Sequence, residues 1–299
     1  MPQIKWFLRK TTGLCELQRI CYGEEHGASR IHGVERSLNF SKSPQIKLLI
    51  NHLNDISDNQ RLAGANERDI LQGATRTVLL VKQINPQIHV QFVKSFSRCT
   101  EQIWGYRQVI AAVETLRTIP YDCDNLEHER KLLDLWDQLM PNDPLTMRIS
   151  KRWQEIGFQG DDPKTDFRGM GLLGLENLLY FAKEFKGPAS HVLSHSHHPN
   201  YGYEFAIVGI NITSMAWTLL GEGSAKTYFY NTCKSLPNIR HFHQFYCYLF
   251  YEFDRFWIEC KPENIMEFSC IKDKFEENIR SSLLDHHGVF RINVAVDTI

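Results

Sequence analysis

Residues 153–181 read WQEIGFQGDDPKTDFRGMGLLGLENLLYF, and this stretch decides the interpretation of the chain. Its centre, 159–166, is rich in aspartate, glycine and proline, which favour turns, so we predict a loop there. Gly157 and Gly160 are predicted to end the helix that carries Trp153. After Gly171, apolar residues recur at three- and four-residue spacing, which predicts a second helix that Gly187-Pro188 ends. The stripe comprises Leu172, Leu175, Leu178, Leu179, Ala182 and Phe185.

Arg168 lies where this loop meets the second helix. With Thr165 or Asp166 as the helix N-cap, the arginine would lie near the first turn, where the helix dipole disfavours a cation. The residues alone leave two interpretations open. One is an ion pair with Asp162 or Asp166. The other is a guanidinium held outward, where it would meet the phosphate of a partner.

The stretch resembles the signature of the ELMO domain, the engulfment and cell motility domain. The positions that carry the resemblance are Trp153, Gly157, Phe158, Gln159, Pro163, Thr165, Asp166, Phe167, Arg168, Gly169, Gly171, Leu175, Leu178 and Phe181. Three other segments agree with the same family: 12–21, 203–211 and 241–253. The whole chain is therefore similar to the short ELMO-domain-only proteins, the ELMOD family.

This resemblance implies a GTPase-activating protein for Arf and Arf-like small GTPases. The family's essential arginine lies in a Phe-Arg-Gly step and falls on Arg168, which favours the partner-facing interpretation. The residues expected to face the partner beside it are Gln159, Asp162, Lys164, Thr165 and Asp166. No cofactor is expected, because Mg²⁺ and GTP would belong to the GTP-bound partner, and the chain would not be an enzyme by itself. The alternative is a non-catalytic ELMO-type scaffold or adaptor in small-GTPase signalling.

Helical patterns run along most of the chain and predict an all-α protein. The clearest covers 90–118, where apolar residues alternate at four- and three-residue spacing up to Pro120. Other helices are predicted at 45–55, 67–83, 132–139, 203–220, 239–259 and 262–285. The polar, Gly- and Ser-rich residues 22–44 predict a loop. The alternating pattern of 289–296 fits a lone strand or a disordered segment.

The resemblance implies one multi-helix ELMO-type domain with an N-terminal helical extension packed on it. The predicted boundaries are 1–44 for an N-terminal segment and polar loop, 45–125 for the extension, 126–288 for the ELMO domain and 289–299 for a tail.

Composition narrows the class of protein further. A net charge of -1 does not favour nonspecific nucleic-acid binding, which needs a basic excess. The eight cysteines form no C-x-x-C pair, so neither a zinc ribbon nor a redox motif is expected. Free thiols fit a cytoplasmic protein or one that is peripheral on the cytosolic face of endomembranes. No phosphate-binding G-x-x-x-x-G-K-[ST] loop occurs, so the chain is not itself a GTPase.

Two further sequence features are candidates for binding sites, one for a membrane surface and one for a metal ion. The first ten residues combine Ile4, Trp6, Phe7 and Leu8 with Lys5, Arg9 and Lys10. That composition suits weak contact with a membrane surface, and a short helix packed on the domain is the alternative.

His191 and His195 would share one helix face, as metal ligands can. No carboxylate or cysteine lies beside them in the sequence and Pro199 begins a loop. We therefore expect a solvated helix end and no metal site.

Overall fold

The computed structural model describes residues 2–58 and 67–292, and its regular structure is helical. The α-helices are α1 Pro2–Thr12, α2 Glu16–Tyr22, α3 Gly27–Asn39, α4 Pro44–Asp58, α5 Glu67–Lys82, α6 Val90–Thr118, α7 Leu126–Leu139, α8 Gly171–Glu184, α9 Lys186–Ser196, α10 Phe205–Gly221, α11 Lys226–Thr232, α12 Ile239–Cys260 and α13 Phe268–Leu283. Short 3-10 helices cover Lys151–Ile156, Pro163–Arg168 and Ile265–Glu267. Since no strand occurs in the described ranges, the predicted all-α class is confirmed.

Contacts divide the described residues into two compact units. The first unit holds residues 2–58, 67–111, 226–238 and 286–288, and the second holds 112–225, 239–285 and 289–292. The boundary falls inside α6, so the long helix predicted at 90–118 contributes to both cores. The predicted domain boundaries at 44/45, 125/126 and 288/289 stay predictions.

In the first unit, α3 packs against α2 and α11. The prediction of a loop at 22–44 was therefore wrong for 27–39. Ala28, Ile31 and Val34 form a narrow buried stripe. Packing against α2 and α11 stabilises this helix, whereas its polar, glycine-containing sequence shows no clear helical pattern. Gly33 lets α2 approach closely, since a Cβ there would lie 3.2 Å from Ile20 Cγ2.

Polar contacts join this unit across long sequence distances. The Asn231 side chain accepts a hydrogen bond from the Ala28 backbone N–H at 2.8 Å. The same amide donates to the backbone carbonyls of His286 and Gly288, each at 2.9 Å. One side chain of α11 therefore holds the start of α3 and the segment after α13.

In the second unit, α8 lies in the middle and contacts α7, α9, α10 and α12. Leu175, Leu178 and Phe181 are fully buried, which agrees with the predicted apolar stripe. The helix also buries a polar network. Asn177 accepts a hydrogen bond from His243 Nδ1 at 2.7 Å and donates to Thr213 Oγ1 at 3.1 Å. Buried polar groups of this kind stabilise the core only while every partner is present.

Two local predictions around α8 need correction. Gly187-Pro188 does not end this helix, because α8 ends at Glu184 and the pair lies in the first turn of α9. Proline is tolerated in a first turn, where its missing N–H would have no helical partner. The N-cap of α8 is Met170, not Thr165 or Asp166, so the helix begins later than predicted.

The first helix is exposed, whereas the segment after α13 packs on α12. The described side chains of α1 are exposed, with Ile4 and Trp6 each 64% and Phe7 59% accessible. Residues 289–292 form no regular structure, and Phe290 packs on Tyr248 with ring centroids 5.7 Å apart. The rest of the predicted strand or disordered segment, 293–296, lies outside the described residues.

No single helix in the described ranges is long and apolar enough to cross a membrane, and only the consecutive pair α10 and α11 meets that criterion when taken together.

Candidate functional site

The loop around Arg168 runs from Gly157 to Gly171, and we call residues 157–171 the Arg168 loop. At its start, Gly157 ends the 3-10 helix of Trp153 with a left-handed φ of 80°, as the sequence predicted for a helix end. A Cβ at this position would lie 2.2 Å from the backbone nitrogen of Phe205. The Gly157 carbonyl also accepts a hydrogen bond from the Ile207 N–H at 3.1 Å. The loop therefore begins in direct backbone contact with the first turn of α10.

At the other end, Gly171 also has a positive φ, 52°. A Cβ there would lie 2.3 Å from the backbone oxygen of Arg117 and 2.4 Å from that of Ile119. The next residue, Leu172, donates its N–H to the Ile119 carbonyl at 2.8 Å. The Ile119 carbonyl, just after α6, thus accepts a hydrogen bond from an N–H at the start of α8. Any residue other than glycine at position 171 would displace backbone atoms.

Aromatic side chains pack beneath the Arg168 loop. Neighbouring rings meet edge-to-face or tilted, with centroids 5.3–5.8 Å apart. In spatial order they are Trp136, Trp153, Phe158, Phe167 and Tyr121. Such pairs contribute beyond simple burial of area. Because Phe158 and Phe167 are buried members of this row, the loop is anchored from below on both sides of its turn.

Arg148 holds the polar half of the loop. Its guanidinium forms ion pairs with Glu129 and, at 2.9 Å, with Asp162. The other role of Asp162 is to cap the 3-10 helix Pro163–Arg168 by accepting from the Lys164 N–H at 3.1 Å. Burial alone would raise the pKa of Asp162, but that N–H and the guanidinium outweigh it and lower the pKa. Asp162 is therefore ionised and engaged within the loop.

Asp166 bridges the two ends of the turn. Its carboxylate accepts a hydrogen bond from the Gln159 backbone N–H at 3.0 Å. Partial burial raises the pKa of this carboxyl even though the Gln159 N–H opposes that effect. Both acidic residues that were candidates for pairing with Arg168 therefore point to other partners.

Arg168 itself is exposed and makes no hydrogen bond or ion pair with any residue in the described ranges. It is the last residue of a 3-10 helix rather than a first-turn residue of α8, so the predicted conflict with a helix dipole does not arise. The predicted alternative of an ion pair with Asp162 or Asp166 is also absent among the described contacts. The two arginines nearest to it in the sequence do have partners. Arg148 and Arg152 each form ion pairs with two carboxylates.

The other predicted site residues fall into two groups. Gln159, Lys164 and Thr165 are exposed in the same loop. Gly169 is exposed with φ near -78°, and a Cβ there would meet no atom of the described chain within 4 Å. The positions predicted as structural are buried: Trp153, Phe158, Pro163, Phe167, Leu175, Leu178 and Phe181. The structure therefore gives Gly157 and Gly171, but not Gly169, an internal reason to be glycine.

Sequence reasoning missed three residues that shape the loop. Arg148, Glu129 and Tyr121 form a polar cluster in which the tyrosine hydroxyl donates to the Glu129 carboxylate. Glu129 precedes Arg148 by 19 residues, and Asp162 follows it by 14. No helical spacing or local motif links positions so far apart, so the sequence held no usable signal.

The histidine prediction also needs correction. The sequence near His191 and His195 contains no carboxylate, but α12 supplies one. Asp254 Oδ2 lies 2.7 Å from His195 Nδ1. The expectation of a solvated helix end without an acidic partner was therefore wrong for His195.

Comparisons with known proteins place the chain among ELMO-domain proteins. The ELMO/CED-12 family model matches residues 111–272. The chain is 48% identical to ELMO domain-containing protein 2 of Bos taurus over 282 residues, covering 94% of this chain and 91% of that protein. It is 47% identical to ELMO domain-containing protein 1 of Mus musculus, covering 94% and 87%. It is 34% identical to ELMO domain-containing protein B of Dictyostelium discoideum, covering 92% of each.

Proposed function

The chain belongs to the ELMO/CED-12 family, and from this premise we propose that it activates GTP hydrolysis by supplying Arg168 to a GTP-bound Arf-family small GTPase. One observation supports the proposal most directly. Arg168 is exposed and has no partner in the described ranges, while the loop that carries it is fixed at both ends. An internal role would leave the guanidinium with a partner of its own, because paired arginines are the rule nearby.

The chemistry that suits this residue is charge stabilisation on a transferring phosphoryl group. Negative charge spreads over the equatorial oxygens in the transition state, and an arginine supplied in trans neutralises it. The planar guanidinium donates two parallel hydrogen bonds, which a lysine ammonium does not reproduce. An arginine of this kind increases the rate by roughly 10³–10⁵, or about 4–7 kcal/mol of barrier.

The surroundings of Arg168 suit delivery of the side chain. Asp162 and Asp166 are engaged within the loop, so neither competes for the guanidinium. Phe167 and Met170 flank the arginine and are both buried, which fixes the backbone from which it projects. A backbone held in advance reduces the entropy lost on docking.

The exposed neighbours are proposed to complete the contact. Gln159, Lys164 and Thr165 lie in the same loop and would touch the GTPase, with Gln159 ordering either the loop or the attacking water. Gly169 has open space in front of its Cα, so the partner's backbone can approach there closely. Asp162 and Asp166 would contribute through the loop conformation. Mg²⁺ and GTP come with the partner.

The proposal is tested with purified Arf and Arf-like proteins loaded with GTP. Each is assayed for phosphate release with the chain at substoichiometric concentration. Multiple turnovers on at least one member, lost in Arg168→Lys, are the expected result. Stoichiometric binding of the GTP form without faster hydrolysis would instead indicate the non-catalytic adaptor.

We also propose that the protein works in the cytoplasm and touches endomembranes peripherally through α1. Ile4, Trp6 and Phe7 are exposed, and Arg9 and Lys10 follow them in the last turn. Apolar side chains beside cations bind the boundary of an anionic bilayer. Such binding would bring the protein to a GTPase that is itself at a membrane.

A further inference from the structure

A second site lies where α9 packs against α12, and none of its residues belongs to the Arg168 loop. Its centre is Asp254, a carboxylate of α12 that is fully buried. One oxygen accepts a hydrogen bond from the Tyr203 hydroxyl at 2.6 Å, and the other lies 2.7 Å from His195 Nδ1. A buried carboxylate held in this way orients the imidazole and, in the neutral ring, favours the proton on Nδ1. The second nitrogen, Nε2, is then left with a free lone pair.

His191 lies one helical turn before His195, on the same face of α9. The two ring centroids are only 4.0 Å apart. His191 is exposed and forms no hydrogen bond with the described residues, and the His195 side chain is 32% exposed. One ligand atom from each of His191, His195 and Asp254 falls within a mutual distance of 4.8 Å.

We propose that His191 and His195 bind a divalent transition-metal ion of the zinc type, with Asp254 as the residue that orients His195. Zinc binds imidazole nitrogen at about 2.0–2.1 Å, so two nitrogens on one tetrahedral ion lie roughly 3.3 Å apart. The ring centroids are 4.0 Å apart, close enough for rotation of the exposed His191 side chain to bring one of its nitrogens to that separation. The i, i+4 spacing on one helix is a known geometry for paired histidine ligands.

The structure separates this proposal from a plain ion pair. If His195 served only to satisfy Asp254, the nearby His191 ring would have no part in the site. A metal ion requires both rings. His191 is therefore the discriminating residue, and its exposure means that it can be removed without loss of packing.

Replacing Asp254 provides a second test, in which metal affinity should be weakened and not lost. Removing the residue that orients a metal-bound histidine typically lowers affinity 10–100-fold, whereas removing a ligand of a two-histidine site removes stoichiometric binding. Asp254→Asn keeps the size of the side chain and its contact with Tyr203. It should weaken zinc binding 10–100-fold, less than loss of either histidine does.

The experiment uses the full chain after dialysis against a chelator. Zn²⁺ is titrated in competition with a chromogenic zinc indicator at neutral pH, and Co²⁺ absorption in the visible range reports the coordination geometry. Asp122, Cys123 and Asp124 form another group with closely spaced ligand atoms, so all variants are made in a Cys123→Ser background. His52→Ala, an exposed histidine of α4, is the matched control.

The expected result is one equivalent of metal in the parent chain and in His52→Ala, and none in His191→Ala or His195→Ala. The folded state of every variant is checked by circular dichroism and thermal unfolding. If the folded His191→Ala variant binds zinc as well as the parent chain does, or if the parent chain binds no stoichiometric metal, the proposal is wrong. Neither outcome bears on GTPase activation.

Discussion

Replacing Arg168 is expected to separate activity from stability. Its exposed side chain has no described partner, so Arg168→Ala should change the free energy of unfolding by no more than about 0.5 kcal/mol. For a protein of this size that corresponds to roughly 1–2 °C in Tm. The same change should reduce stimulated GTP hydrolysis by roughly 10³–10⁵ if the guanidinium acts on the transferring phosphoryl group. Arg168→Lys keeps the charge but should lose most of the stimulation.

Arg148, which lies outside the Arg168 loop and binds Asp162 within it, provides the contrasting variant. Arg148→Ala leaves two half-buried carboxylates, Glu129 and Asp162, without their cation. Each lost charged hydrogen bond costs about 1.5–3 kcal/mol, so allowing for partial exposure we expect about 2–4 kcal/mol in total. At 2–4 °C per kcal/mol, Tm should fall by roughly 4–16 °C.

Both quantities are measured on the same preparations. Thermal unfolding gives Tm, and phosphate release from the GTP-loaded partner gives the rate, with Arg130→Lys, an exposed arginine of α7, as the control. If Arg168→Lys melts as early as Arg148→Ala, Arg168 is a structural residue. If Arg168→Lys retains the wild-type melting temperature and full stimulation, Arg168 does not act on the phosphoryl group.

Four further outcomes are expected. Gly171→Ala should lower Tm and activity together, because its Cβ would lie 2.3 Å from a backbone oxygen, whereas Gly169→Ala should leave Tm unchanged in a melting experiment. Trp153→Ala should cost about 3–5 kcal/mol in denaturant unfolding, since the ring is fully buried. Burial lowers the pKa of His243 from 6.5 to about 4, so only the unfolded state gains a proton in that interval. The unfolding free energy should therefore fall as pH drops from 6.5 toward 4, by about 2 kcal/mol at pH 5, and His243→Gln should lose that slope in denaturant titrations. Deleting residues 1–10 should reduce recovery on anionic liposomes, and unchanged recovery with a lower Tm would favour packing of α1 on the protein.

The sequence predicted the helices wherever a wide apolar stripe dominated the pattern. The long helix 90–118 is confirmed at its predicted bounds, and the buried helix after Gly171 is confirmed with a later start and an earlier end than predicted. The sequence failed to predict the helix at 27–39, where only three apolar side chains are buried and glycine and serine interrupt the pattern. There the helix depends on contacts with α2 and α11, which a local pattern does not contain.

In the candidate site too, features that depend on the local sequence were predicted, and contacts between distant residues were not. Gly157 was recognised as a helix end because the left-handed conformation is a local property of glycine. The partners of Asp162 were not, because Arg148 and Glu129 come from other parts of the chain. The carboxylate beside His195 was missed for that reason too, since Asp254 follows it by 59 residues.

The interleaved composition of the first unit has a consequence for synthesis on the ribosome. Residues 2–58 and 67–111 emerge early, yet their unit also needs α11 and the segment 286–288. The Asn231 side chain of α11 can join the start of α3 to the carbonyls of His286 and Gly288 only after residues 286–288 have left the exit tunnel. At roughly 5–20 residues per second, synthesis of the 177 residues between 111 and 288 takes about 9–35 s, during which the nascent helices have unburied apolar faces. Chaperone binding to the nascent chain should therefore concentrate on this early-emerging region and end only after residues 286–288 have left the exit tunnel.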